Sequence, residues 1–165
     1  MCIMKINWKS IFGNKVANLS VGKELLEYDK HVEFYFTNLI NSIILFSLTS
    51  EELLNLAEPW FDPIFELEAE IDYAFTPVCF ESIFRNGLID NSFKNKLLEF
   101  KNETDNIPSE IWDWEFIDSH EAWTTIRYRA NELLNELGIA SRKYNDDYTT
   151  VYDRGGKIIK KGEKP

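Results

Sequence analysis

The stretch ELLEYDKHVEFYFTNLINSIILF, Glu24–Phe46, carries the longest helical pattern in the chain and decides its fold class. Apolar residues recur in it at spacings of three and four, which is the pattern of a helix with one apolar face. The spacing therefore predicts an amphipathic helix over about 24–46. The apolar run Leu39–Leu48 contains Asn41, Ser42 and Ser47, and it is too short to span a bilayer.

Local signals outside this stretch predict further helices. Thr49 and Glu52 form a capping box ahead of a short leucine-rich helix that Pro59 ends. A helix over Pro77–Asn86 has proline at its first position and Gly87 just past its end.

Two more helices are predicted in the second half of the chain. One of the residues 90–92 caps a helix that ends in the polar run 102–106. Asp118 and Glu121 form a second capping box, and the helix behind them continues to Gly138.

The last segment predicts a β-hairpin, because Tyr148–Tyr152 is β-branched and aromatic, 153–156 has turn composition and Lys157–Lys160 can pair back. An isolated hairpin is marginal, so it must pack on the helices. With 44% hydrophobic residues in 165, the chain can bury a substantial core. The predicted fold is mainly α, a compact single-domain helical bundle over residues 1–165 with a small C-terminal β-hairpin; α+β is the alternative.

The segment Phe65–Tyr73 alternates apolar and acidic residues and fits two structures. A strand would place four carboxylates on one face, as a ladder directed at solvent or at a basic partner: Glu66, Glu68, Glu70 and Asp72. A helix would instead bury one apolar stripe: Trp60, Ile64, Leu67, Ile71 and Ala74. Helix propensity favours the helix, while the regular alternation keeps the strand open.

In the helix, a second line of residues follows at every fourth position: Phe61, Phe65, Ala69 and Tyr73. Acidic residues flank this line, with Asp62, Glu66 and Glu70 on one side and Glu68 and Asp72 on the other. If Phe65 and Tyr73 face water, the helix presents an aromatic ridge between acidic rows, as expected of a binding hot spot. If they pack beneath a neighbouring helix, they belong to the core.

Trp112 and Trp114 lie two residues apart, with Glu110 and Asp113 beside them. In a strand or a loop, both indoles would point to the same side. A tryptophan in a connecting loop commonly covers a core, and this is the preferred interpretation. An anchor for a protein partner is the alternative.

Residue patterns that carry catalysis in known enzymes are weak in this chain. Neither Cys2 nor Cys79 belongs to a zinc or disulfide pattern, and Cys79 is predicted to be a small core residue. There is no GxSxG, Walker A or GxGxxG motif. Two pairs could contribute metal ligands, without the spacing of a known zinc motif: Glu27 with His31, and Asp118 with His120. We expect no metal, no cofactor and no enzymatic activity.

The net charge of −10 is concentrated in the middle of the chain, where residues 49–121 carry −14. Such a field repels nucleic acid and anionic membranes and accelerates the encounter with a basic partner, although it also aids solubility. Five basic residues near the C-terminus are assigned to a solvated surface or to neutralising this acidity: Arg154, Lys157, Lys160, Lys161 and Lys164. No signal-peptide core is present, so we expect a cytoplasmic protein.

This pattern resembles the small acidic immunity proteins that bacteria encode beside secreted polymorphic toxins, including those of contact-dependent inhibition systems. The resemblance rests on chain length, missing catalytic motifs and the acidic, aromatic-rich middle, Thr49–Glu121. It implies a non-enzymatic protein that binds one cognate basic toxin, often a nuclease, and occludes its active site or an adjacent surface. The expected partner-binding residues are Asp62, Phe65, Glu66, Glu68, Glu70, Asp72, Tyr73, Glu110, Trp112, Asp113 and Trp114.

Two other functions stay open at this stage. A carboxylate-based metal-dependent hydrolase would use Asp62, Glu66 and Glu70 with a histidine. An acidic scaffold or nucleic-acid mimic would bind several basic proteins, whereas an immunity protein binds one.

Overall fold

A computed structural model describes residues 19–57, 62–153 and 155–164. The described chain is mainly α-helical with a small antiparallel β-hairpin near its C-terminus, as predicted. Two single turns of 3-10 helix, Asn91–Phe93 and Ser109–Ile111, lead into later helices. In chain order the elements are α1 Leu19–Asp29, α2 Val32–Ser47, α3 Ser50–Leu56, α4 Pro63–Ala74, α5 Pro77–Arg85, α6 Lys94–Asp105, α7 Trp114–Ile117, α8 Glu121–Glu136, β1 Val151–Tyr152 and β2 Ile158–Lys160.

Helix α2 lies at the centre of the core. Every residue from Leu39 to Leu48 is buried, and α4, α5 and α8 pack around the helix. Its buried serines are satisfied, because the hydroxyls of Ser42 and Ser47 donate to carbonyls one turn back, at 2.8 and 2.7 Å. The prediction of an amphipathic helix is therefore wrong for this half, which is buried on all sides.

The predicted single helix over 24–46 is also interrupted, because α1 ends at Asp29 and α2 begins at Val32. The carboxylate of Asp29 accepts hydrogen bonds from Arg85 Nε, at 3.1 Å, and from Asn86 Nδ2, at 2.9 Å, at the end of α5. Helix α1 thus packs on α5 while α2 enters the core. These contacts are remote in sequence, so the spacing of apolar residues did not predict the break.

Most of the predicted helix ends are confirmed. The hydroxyl of Thr49 accepts from Glu52 N at 3.2 Å, and the Glu52 carboxylate accepts from Thr49 N at 2.8 Å, which completes the capping box of α3. Gly87 follows α5 with a φ of 71°, a conformation that favours glycine. Asp90 caps the turn before α6, and α6 ends at Asp105, within the polar run 102–106, as predicted.

The N-terminus of α8 differs from the prediction. His120, and not Asp118, is the N-cap: its Nδ1 accepts a hydrogen bond from Ala122 N at 3.1 Å. The Asp118 carboxylate instead accepts from Ser50 N and from Arg127 Nη2, at 3.2 and 2.6 Å. These bonds connect α3 with α8.

The hairpin has the predicted position but shorter strands. Val151 pairs with Lys160 and Tyr152 with Ile158. Gly156 has a φ of 80° in the connecting turn. Arg154 lies outside the described residues.

The segment between α8 and the hairpin folds back over α2. Asn41 Nδ2 donates to the carbonyl of Asn145 at 2.7 Å, and Asn41 Oδ1 accepts from Asn145 N at 2.9 Å. Arg142 Nε donates to Asn131 Oδ1 at 2.7 Å, and its Nη1 donates to the carbonyl of Ile139 at 2.6 Å. A buried asparagine of α2 therefore holds the backbone of the C-terminal segment.

We predict that Asn41→Leu detaches this segment. The substitution leaves both backbone groups of Asn145 without their partner, which should lower the free energy of unfolding by roughly 1–3 kcal/mol. Chemical denaturation measures the loss, and limited proteolysis should show faster cleavage within residues 140–147.

Ser42→Ala is the matched control, because its buried hydroxyl bonds only within its own helix. This substitution should lower the free energy of unfolding by less than about 1 kcal/mol and leave the rate of proteolytic cleavage unchanged. Equal protection of the segment in both variants would contradict the role given to Asn41.

Candidate binding surface on helix α4

The segment that alternates apolar and acidic residues is helical, so the strand and its carboxylate ladder are wrong. The side chain of Asp62 accepts from Ile64 N at 3.1 Å and caps α4, and Pro63 occupies its first position. The predicted apolar stripe is confirmed where it is described: Leu67, Ile71 and Ala74 are buried, Ile64 is half-buried, and Trp60 lies outside the described residues.

The opposite line of α4 faces solvent. Phe65 is 70% exposed and Tyr73 is 46% exposed, with Ala69 exposed between them. Phe61, the first member of this line, lies outside the described residues. We call Phe65, Ala69 and Tyr73 the ridge. Exposure of two large aromatic side chains on one helix face is typical of a binding surface.

The acidic row of Glu68 and Asp72 is partly neutralised within the protein. Asp72 lies 2.9 Å from Lys101 Nζ, which also pairs with Asp105. Lys101 itself is buried, while Glu68 is exposed. This row therefore presents one uncompensated carboxylate and one that already has a cation.

The acidic row of Asp62, Glu66 and Glu70 is exposed at its start and half-buried further along α4. Asp62 is exposed, whereas Glu66 and Glu70 are half-buried, and the hydroxyl of Tyr144 donates a hydrogen bond to Glu70 Oε1. Glu70 thus flanks the ridge, as expected for a helix, but Tyr144 partly covers its carboxylate.

Burial also changes the acidity of this row. It raises the pKa of Glu70 from 4.5 to about 7, against the lowering effect of the Tyr144 hydrogen bond and together with the charge of Glu66. Burial, and then the charge of Asp62, raise the pKa of Glu66. Burial and the adjacent Glu70 raise the pKa of Tyr144 well above its usual range, so its hydroxyl stays protonated.

A cleft separates α4 from the segment Tyr144–Tyr152. It consists of two adjoining parts, and Glu66, Glu70, Tyr144 and Thr149 line both of them. At one end the ring of Phe34 lies 6.3 Å from that of Tyr73 and 5.3 Å from that of Tyr148. Sequence analysis assigned the residues of the C-terminal segment to a hairpin and gave them no part in binding. The buried Asn41 was the one available signal that α2 needs a polar partner.

The two tryptophans of the second predicted site belong to the core margin. The Trp112 ring packs edge-to-face against Trp123, with centroids 4.9 Å apart, and against Phe46, at 6.2 Å. The interpretation that Trp112 covers the core is confirmed. Trp114 begins the short helix α7 and also packs on the core, so the two indoles do not share one strand or loop.

The acids beside these tryptophans are exposed and separate from α4. Asp113 caps α7 by accepting from Glu115 N at 3.4 Å, and Glu110 accepts from the hydroxyl of Ser109 at 3.3 Å. Between the described residues, no hydrogen bond, ion pair or ring contact joins this group to the acidic rows of α4. The structure therefore assembles the α4 residues into one surface and leaves the tryptophan region apart.

Several of the residues weighed for metal chemistry have partners within the protein. Glu27 pairs with Lys30 at 2.7 Å, and His120 caps α8. Cys79 is buried, as predicted, and its burial raises the pKa of its thiol. Within residues 19–57, 62–153 and 155–164, no three His, Cys, Asp or Glu side chains converge as a metal site would require.

None of the helices in the described part of the chain has both the length and the apolar character needed to cross a membrane. Comparison with protein-family models, with curated proteins and with solved structures finds no match to this chain.

We predict that Glu70→Gln stabilises the protein at pH 8 and not at pH 5. The pKa of Glu70 is higher in the folded chain than in the unfolded one, so its contribution to stability is full below about pH 4.5 and is lost as pH rises through about 7. The amide carries no charge to bury, so the free energy of unfolding should rise by up to about 3 kcal/mol at pH 8. Urea denaturation of both proteins at the two pH values measures the difference.

Glu68→Gln is the control for this measurement, because Glu68 is exposed on the same helix. It should change the free energy of unfolding by less than about 0.5 kcal/mol at either pH. A Glu70→Gln protein that is less stable than the parent at pH 8 would contradict the conclusion that the buried charge of Glu70 destabilises the fold.

Proposed function

We propose that the protein is a non-enzymatic immunity protein that binds and neutralises a basic protein toxin, a nuclease in the first instance, through the α4 surface. The observation that carries the proposal is the ridge, in which Phe65 and Tyr73 stay exposed between acidic residues. A large aromatic side chain in water forgoes the transfer free energy that burial provides, roughly 1.5–3 kcal/mol. A partner that covers the ridge recovers that free energy.

The charges around the ridge support a basic partner. Among the described residues, no cationic group lies within ion-pair distance of Asp62, Glu66 or Glu68, whereas Asp72 and Asp118 have internal partners. Uncompensated carboxylates raise the rate of encounter with a cationic protein and set its orientation. The aromatic side chains would then supply the desolvated centre of the interface.

The proposal differs from the other two functions in what the protein should bind. A metal-dependent hydrolase needs a cluster of metal ligands. In the described chain, Glu66 and Glu70 do not belong to any group of three or more His, Cys, Asp or Glu side chains that could hold a metal ion. An acidic scaffold would bind unrelated basic proteins with similar affinity. An immunity protein should bind the basic C-terminal domain of a toxin encoded in the neighbouring reading frame and leave a general basic protein such as lysozyme unbound.

We predict that Phe65→Ala weakens binding to that toxin domain by roughly 30-fold or more, the range of a hot-spot residue. Calorimetry with the purified pair measures the affinity, and growth during toxin expression measures protection. Tyr128→Ala is the matched control, because Tyr128 is 64% exposed on α8, outside the ridge. It should leave both readouts unchanged. Equal weakening by the two substitutions, or none by either, would refute the α4 surface as the binding site.

We also predict that association with the toxin slows steeply with added salt. Screening shortens the reach of the carboxylates as the Debye length falls from about 10 Å at 0.1 M to about 3 Å at 1 M. Stopped-flow association rates across this range measure the effect, while the dissociation rate should change much less. An association rate that is independent of salt would remove the electrostatic part of the proposal.

A further inference from the structure

We propose that the cleft between α4 and the segment Tyr144–Tyr152 receives an arginine side chain of the partner, with its guanidinium between Glu66 and Glu70 and its stem along Tyr73. This inference rests on the proposed function, since it names the chemical group that the basic partner presents. It also makes the C-terminal segment the second wall of the binding site.

The cleft is large enough for a side chain and carries acceptors. Its part beside the ridge has a volume of about 290 Å³ and is lined by Phe34, Glu66, Ala69, Glu70 and Tyr73 among others. None of the described residues that line it, on either wall, is Lys, Arg or His. The described lining of the cleft therefore supplies no counter-charge to these carboxylates.

Glu70 provides an independent indication that a donor is missing. Its Oε1 receives the hydroxyl of Tyr144, but its Oε2 is buried and receives no hydrogen bond from the described residues. A buried carboxylate oxygen without a donor is costly and uncommon. Glu66 lies one helical turn before it on the same side of α4, so one group placed between them contacts both.

The acidity of the pair agrees with this assignment. Burial raises the pKa of both carboxyls, and the charge of Glu66 further raises that of Glu70. Two carboxylates that disfavour each other's ionisation are stabilised together by one cation. The row on the other side of the ridge offers no such pair, because Asp72 already binds Lys101.

The aromatic rings favour arginine over lysine. A guanidinium has five donors in a planar fork that fits two carboxylates, and it stacks on aromatic faces, whereas an ammonium is a compact and strongly hydrated charge. Tyr73, Phe34 and Tyr148 form a chain of ring contacts at the mouth of the cleft. These rings can cover the aliphatic stem while the carboxylates hold the head.

The test uses Nα-acetyl-arginine amide as a probe of the isolated protein, followed by NMR chemical-shift changes. We expect saturable binding in the millimolar range, with shifts at Glu66, Tyr73 and Thr149. Nα-acetyl-citrulline amide, a neutral molecule of nearly the same shape, should cause no saturable shift. Equal shifts with both probes would overturn the inference.

Two variants on the walls locate the site. Glu66→Gln should weaken binding of the arginine probe by roughly tenfold, as expected for the loss of a charge-assisted hydrogen bond, while Glu68→Gln should not. Thr149→Lys places the protein's own cation in the cleft and should abolish binding of the probe. Circular dichroism confirms that each variant is folded. An unchanged affinity in Glu66→Gln, or in a folded Thr149→Lys protein, would overturn the inference.

This outcome is separate from that of the proposed function. The comparison of Phe65→Ala with Tyr128→Ala uses the toxin domain and does not depend on the cleft. If Phe65→Ala weakens toxin binding and the arginine probe does not bind, the inference is wrong and the proposed function stands. If the probe binds and toxin binding is insensitive to Phe65→Ala, the cleft is a cation site and the proposal that the toxin binds through the α4 surface is wrong.

Discussion

The complete burial of the second half of α2 constrains the rest of the structure. A helix that is apolar on every side can be stable in water only when other elements cover all of its faces. Helices α4, α5 and α8 do so, and the C-terminal segment covers what they leave open around Asn41. The face that each of these elements turns to α2 is therefore fixed. For α4, this leaves Phe65 and Tyr73 on the side that faces water.

The polar groups at the end of α2 are satisfied by α8. Asn131 Nδ2 donates to the carbonyl of Ser47 at 3.1 Å, and Arg127 Nε donates to that of Leu48 at 2.9 Å. These carbonyls have no partner within the helix, and a cation near them also interacts favourably with the helix dipole. Because Arg127 in addition binds Asp118, the turn into α3 and the start of α8 are held by one side chain. The two polar residues on α8 thus fix the direction in which the chain leaves the core.

Sequence analysis succeeded where the determining contacts are local. The Thr49–Glu52 capping box, the turn at Gly87 and the two faces of α4 all depend on residues within a few positions of each other. It failed where contacts between residues distant in sequence determine the structure. The helix break near Asp29, for example, depends on Arg85 and Asn86. The ridge followed from helical spacing, whereas the burial of Glu70 depends on Tyr144, 74 residues later. A surface formed by one helix was predictable, and a cleft between two distant segments was not.

The two acidic rows of α4 look equivalent in the sequence, but their surroundings differ in the folded protein. Lys101 compensates Asp72 and leaves Glu68 as the uncompensated carboxylate of that row, while Glu66 and Glu70 stay uncompensated by the described residues in a partly buried cleft, where charges interact more strongly. A protein selected for stability alone would replace a buried carboxylate with a neutral side chain, because the charged form of Glu70 is costly at neutral pH. Sites that break such a local rule without an internal compensation are commonly functional. The asymmetry also gives the surface a direction: a cationic partner is attracted to the side of the ridge that faces the C-terminal segment, and this side sets its orientation on α4.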